Sequence, residues 1–137
     1  MAPRIARLTR RSEFLHAAAK GRKSAMPGLV LQAVSQVHRP TEKGNSDNGE
    51  NAFRVGFTAS RRVGGAVARN RAKRRLRAAV ARVMPERAIA GQDYVVIARA
   101  ATLDREFKDL LRDLETALAR VDAKADVKIG PPRTRSG

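Results

Sequence analysis

The chain has 137 residues and a mass of 15.0 kDa, the size of one ordinary domain, and 42% of it is hydrophobic, enough for a real core. It contains no cysteine, which excludes disulfides, thiolate chemistry and the cysteine-based zinc sites of many nucleic-acid modules. Charge dominates the rest: 29 Lys+Arg face 13 Asp+Glu, for a formal net charge of +16 and an isoelectric point near 11.7.

That charge is segregated. Residues 1–85 carry 19 basic and 4 acidic side chains, whereas residues 86–137 carry 10 and 9. Solubility alone does not require such a division, but a phosphate-binding surface does, because each neutralised phosphate releases a condensed counterion. A nucleic acid is therefore favoured over an acidic protein or a membrane surface. No run approaches the roughly 18 apolar residues of a membrane span. Met1 to Arg11 lacks the apolar stretch of a secretory signal. The expected location is the cytoplasm.

The first predicted element is a short helix, capped by Thr9 or Ser12, with Phe14, Leu15 and Ala18 on one face and Lys20-Gly21 as its stop. Leu29 to Val37 alternates as a strand, Val30, Gln32, Val34 and Gln36 on one face and Leu29, Leu31, Ala33 and Val37 on the other. His38 to Asn51 (HRPTEKGNSDNGEN) is polar and rich in turn formers, a loop. Phe53 to Ala59 alternates again and is expected to run antiparallel to the preceding strand. Gly64-Gly65 then opens a helix that Pro85 should close. Asp93 to Ala98 (DYVVIA) reads as a strand buried on both faces. A last helix is expected from Asp104 as N-cap, with Phe107, Leu110, Leu111, Leu114, Leu118 and Val121 as its stripe. The pairs Asp104/Lys108, Arg105/Asp109 and Arg112/Glu115 should lace its outer face. From Asp122 the periodicity stops, giving one domain over 1–122, with its loop at 38–52, and a disordered tail over 123–137. The order α-β-β-α-β-α makes an α+β sandwich of a small mixed sheet and helices.

Function concentrates in the middle helix. From Asn51 to Pro85 there are ten basic residues and no acidic one. On a helical wheel Ala72, Leu76, Ala79, Val80 and Val83 form one stripe. Asn70, Arg71, Lys73, Arg74, Arg75, Arg77 and Arg82 fill the remaining arc. Arg69 falls near the stripe but in the first turns, where it can point past the end of the sheet. Like charges at 69/73, 71/75, 73/77 and 74/77 each cost a few tenths of a kcal/mol. The stripe gains roughly 2 kcal/mol per buried Leu or Val, so the helix forms without its ligand. Lys73 is the lone lysine between 69 and 82, a bias toward planar, bidentate phosphate recognition.

Other residues stay open between two readings. Arg61, Arg62, Gly64 and Gly65 make either an ordinary strand-to-helix turn or extra guanidinium and amide groups at the positive end of the helix. Asn70 is either incidental or positions Arg69 and Arg71. His16 and His38 lack partners at metal spacing and read as surface residues. Phe14 suits a core anchor better than a stacking platform. No catalytic triad, metalloprotease helix or phosphate loop is present. Glu13, Glu42, Asp47 and Glu50 are too scattered to hold metal ions.

The segment from Phe53 to Arg77 (FRVGFTASRRVGGAVARNRAKRRLR) resembles the signature of the bacterial ribonuclease P protein component, with Arg69-Asn70-Arg71-Ala72-Lys73-Arg74 matching its central motif in full. Leu8, Ser12, Glu13, Phe14 and Gly21, and the segment Asp93 to Ala98, match the flanking pattern, so the resemblance covers about residues 5–120. It implies a fold like the second domain of a ribosomal small-subunit protein, with a left-handed β-α-β crossover. It also implies two partners, a catalytic RNA subunit and precursor tRNA, with one protein per RNA. The holoenzyme would require Mg²⁺, none held by the protein alone, and the RNA would carry the catalytic centre. Arg61, Arg62, Arg69, Asn70, Arg71, Lys73, Arg74 and Arg77 would face the RNA subunit. The 5′ leader of precursor tRNA would follow a cleft between the first helix and the sheet, at Arg11, Phe14, Val30, Gln32 and Arg54. Two positions depart from the family pattern: Ala18 and Gln32 stand where aromatics are common, which shifts leader binding from stacking toward hydrogen bonds and charge. The alternatives are a ribosomal or assembly protein of the same fold and a DNA-binding helix, though strands between the helices disfavour helix-turn-helix.

Overall fold

Three apolar segments meet at the centre of a five-stranded sheet, seen in a computed structural model that describes residues 4–8, 10–35, 52–89 and 91–123. In chain order the elements are β1 (Arg4–Arg7), α1 (Arg11–Lys20), β2 (Arg22–Ala25), β3 (Leu29–Ser35), β4 (Ala52–Thr58), α2 (Ala66–Arg87), β5 (Gln92–Ala98), a 3-10 turn (Ala100–Thr102) and α3 (Phe107–Ala123). The expected α+β class holds. The strand order is β1-β4-β5-β3-β2. β1, β4 and β5 are mutually parallel; β3 runs antiparallel to both of its neighbours, β5 and β2.

β5 takes the centre because its run is apolar on both faces, and nearly every residue of it is buried. This corrects one expectation: β4 does run opposite to β3, but β5 lies between them. The parallel β4–β5 pair requires a crossover, and α2 supplies it. β1 and β2 are additions to the expected order. Neither RIAR nor RKSA carries an apolar stripe; each forms by completing an edge of the sheet.

Alternation along the strands sorts the side chains. On one face, Leu29, Leu31, Phe53, Val55, Tyr94 and Val96 pack with Leu76, Val80 and Val83 of α2 and Leu110, Leu114 and Leu118 of α3. Tyr94 meets Phe53 edge-on, ring centroids 6.0 Å apart. The other face packs Val34 and Val95 against Leu8 and Ala17, with Phe14 and Ile97 half-buried beside them.

Helix ends depart from the sequence reading in three places. Arg10 occupies the N-cap of α1, and Glu13 supplies the cap by accepting from the Arg10 N–H at 3.2 Å, while Ser12 lies inside the helix. The inward residues of α1 are Glu13 and Ala17, one turn apart; Leu15 and Ala18 are exposed. Pro85 does not end α2. It sits in the final turn, and Ala88 N–H still reaches the Met84 carbonyl at 2.8 Å. A proline there removes only one intrahelical bond.

α3 begins at Phe107, because residues 100–105 form the 3-10 turn and its sequel instead. None of the three lacing pairs is among the ion pairs of the described residues; Arg105 reaches Asp113 at 2.7 Å. Asp122 belongs to α3 and accepts a bond from the Tyr94 hydroxyl at 3.2 Å. Thr9, the loop over 38–51 and the tail over 124–137 lie outside the described residues, and Ala52 opens β4.

Candidate nucleic-acid interface

The site begins at a turn. Gly64 has φ +142°, a conformation that side-chain-bearing residues rarely adopt, and Gly65 caps α2. Arg61 and Arg62 stand exposed on this turn, at the positive end of the helix. Beyond it, Ala72, Leu76, Ala79, Val80, Val83 and Met84 are buried, the expected stripe with Met84 added. Leu76, Val80, Val83 and Met84 at about 2 kcal/mol each outweigh four like-charge pairs at a few tenths each.

Asn70, Arg71, Arg74, Arg77 and Arg82 are exposed, and Arg69 and Lys73 are half-buried. Among the described residues none of the cations of this helix or its turn is ion-paired with a carboxylate. Arg69 turns back and donates to the Gly64 carbonyl at 3.0 Å, which holds it against the first turn. Arg77 lies over the Phe57 ring, 5.6 Å from its centroid, a cation–π contact that pre-orients the guanidinium.

Arg75 has a different task. It donates to the carbonyls of Thr102, Leu103 and Arg105 at 2.8, 2.9 and 2.6 Å. That ties α2 to the connection leading into α3. The wheel alone grouped it with the outward cations; only the tertiary placement of the 3-10 turn separates it.

The other candidate residues lie on the opposite sheet face. There Arg54, Asp93 and Val34 form one cross-strand row, Gly56, Val95 and Gln32 the next, and Thr58, Ile97 and Val30 the third. α1 covers the first two rows. Gly56 permits this: a β-carbon there would stand 2.5 Å from two ring atoms of Phe14. Thr58, Ile97 and Val30 remain half-exposed, and Ile97 and Phe14 pack against the same small cluster. Gln32 is 8% exposed and its amide has no hydrogen-bond partner among the described residues. Arg11 is exposed at the start of α1.

Arg54 is held from two sides. It donates twice to Asp93 at 2.8 Å and once to Glu13 at 2.7 Å. Burial alone would lower its pKa, but the bonds and charges of Asp93 and Glu13 outweigh that and raise it. Neither carboxylate was singled out from the sequence as a partner of Arg54. The available signal was a charged residue in each of two otherwise apolar strands.

A second polar knot closes the far end of the core. Tyr94 accepts from the Ile89 N–H at 2.9 Å and donates to Asp122. Burial, reinforced by the Asp122 charge, pushes the Tyr94 hydroxyl far above its ordinary range. Burial likewise raises Asp122 to about 6, against the opposing pull of the Tyr94 bond and the Arg22 charge.

The two candidate sets thus fall on opposite faces of the sheet, one on α2 and its turn, the other around α1. A family model described as Ribonuclease P matches residues 2–122. The ribonuclease P protein component of Paramagnetospirillum magneticum is 51% identical over 123 residues, spanning 90% of this chain and 87% of its own.

The chain belongs to the bacterial ribonuclease P protein component family.

A second ribonuclease P protein component, from Gluconacetobacter diazotrophicus, is 43% identical over 124 residues, 90% of this chain and 97% of that one. The solved ribonuclease P protein of Thermotoga maritima shares the fold with a TM-score of 0.66 at 24% identity, over 84% of this chain and 96% of that one. The chain is accordingly an accessory protein subunit of ribonuclease P, a tRNA-processing nuclease. Among its described residues no helix is long and apolar enough to cross a membrane.

Proposed function

We propose that the chain docks on the RNA subunit of ribonuclease P through α2 and its preceding turn, and holds the 5′ leader of precursor tRNA in the cleft beside α1. One observation carries the first part: a preformed helix, glued to the sheet along one stripe, presents cations that no carboxylate of the described residues neutralises. Arg61, Arg62, Arg69, Asn70, Arg71, Lys73, Arg74 and Arg77 form the RNA-subunit surface in this reading. Phe14 and Val30 line the leader track in this reading, with Arg11 at its entrance and Gln32 buried behind them under α1. The Gln32 amide, without a hydrogen-bond partner among the described residues, keeps hydrogen-bonding capacity beneath that track, where the family commonly has an aromatic. Hydrolysis falls to the RNA and its Mg²⁺ ions, with one protein per RNA, in the cytoplasm.

The test is reconstitution. The purified chain alone should cleave nothing, and with a bacterial ribonuclease P RNA it should restore precursor processing at Mg²⁺ levels too low for the RNA alone. No gain in activity would refute the reading. Replacing Arg69 and Arg71 with Ala should lower affinity for the RNA and reduce the salt slope by about one to two units. An unchanged slope removes α2 from the interface.

A further inference from the structure

The resemblance puts Arg54 on the leader, but its guanidinium is already engaged. Three of its donors go to Asp93 and Glu13, whose side chains are only 4% and 9% exposed, and Arg54 itself is 24% exposed. Its charge is thus already met by two carboxylates, and a phosphate would have to compete with both for it. The three residues come from three elements: Arg54 from β4, Asp93 directly opposite on β5, and Glu13 from α1. Next to Glu13 on the helix is Phe14, and two residues beyond Arg54 on the strand is Gly56, where the Phe14 ring rests. The ion pair and the ring contact are therefore consecutive points of one seam between α1 and the sheet.

We propose that Arg54 is a positioning residue for leader recognition: it takes no phosphate itself and acts through Glu13 to seat α1, and with it the Phe14 wall of the cleft. This rests on the reading that the leader lies in that cleft. The two carboxylates suit the geometry because the planar fork of arginine bonds Asp93 bidentately while its remaining edge meets Glu13. Lysine could not make that set of bonds.

The discriminating variant is Glu13→Gln, in the holoenzyme reconstituted with a bacterial ribonuclease P RNA. The amide is nearly isosteric and leaves Arg54 paired with Asp93. Affinity is measured for precursor tRNA carrying a leader of several nucleotides and for one carrying a single leader nucleotide. Seating predicts a loss of about fivefold to tenfold for the long leader, the scale of coupling between bonded side chains. It also predicts no loss for the short leader and an unchanged salt slope. Arg54→Ala should give the same pattern, and the double variant should lose no more than the worse single one.

Equal or tighter long-leader binding by Glu13→Gln would overturn the proposal, since removing a carboxylate beside a phosphate track strengthens a purely electrostatic contact. So would equal losses for both substrates, or a fall in slope of about 0.7 for Arg54→Ala, the signature of one single-strand phosphate contact. Phe14→Ala separates this proposal from its premise. A leader-dependent loss there with none for Glu13→Gln removes the Arg54 role alone; no loss in either removes the cleft as well.

Discussion

Asp122 gives the chain a stability that should fall as the solution becomes less acidic. Its carboxyl is drawn into the end of the core beneath Tyr94, where burial raises its pKa from 3.8 to about 6. The native state therefore prefers the protonated form. Its contribution is complete below about pH 4 and is lost as pH rises through about 6, after which folding carries the cost of a desolvated charge. A shift of about two units at 1.36 kcal/mol each sets an upper bound of roughly 3 kcal/mol. Water at the half-buried carboxyl brings the expected figure to about 1–2 kcal/mol. Asp122→Asn keeps an acceptor for the Tyr94 hydroxyl and cannot ionise. Urea denaturation of both proteins from pH 4 to 8 should show the variant more stable by that amount at pH 7.5, with the gap closing toward pH 4. A gap that does not change with pH, or a variant less stable at pH 7.5, would refute the argument.

Three further substitutions test separate parts of the architecture. Arg75→Ala strips a shared charged donor from three carbonyls and should cost about 1–3 kcal/mol in thermal or urea unfolding. Unlike Arg71→Ala, it should leave the salt slope of RNA binding unchanged. Gly56→Ala drives a methyl into the Phe14 ring and should destabilise by about 1–3 kcal/mol, with leader-dependent affinity falling alongside in the reconstituted enzyme. Gln32→Leu removes a buried amide that has no partner among the described residues, so stability should rise by about 1 kcal/mol while long-leader affinity falls. Destabilisation by Gln32→Leu would mean that the amide is satisfied in the free protein.

Residues whose periodicity matches their burial were legible in advance. The α2 stripe, the doubly buried β5 run and the apolar face of α3 all stand where 3.6- and 2-residue repeats put them. β1 and β2 were not legible, because four-residue strands without an apolar stripe exist through the neighbour they pair with. The inward face of α1 departs from its apolar pattern for a related reason: the helix packs its Glu13 inward, and only the fold provides the Arg54 that makes a buried carboxylate acceptable. The candidate RNA surface on α2 followed from composition, since an acid-free basic stretch has no internal partners. Arg75 showed the limit of that reasoning. A helical wheel gives direction but not what stands opposite, and three carbonyls more than twenty residues away settle its role.

The strand order also has a consequence for synthesis. β5 is the last strand in sequence yet the middle one in space, bonded on one side to β3 and on the other to β4. A nascent chain that has emerged only as far as Arg87 contains the whole arginine-rich segment but neither the strand nor the α3 helix against which it packs. Until β5 and α3 have both been made, that segment lacks the surfaces that bury its apolar stripe.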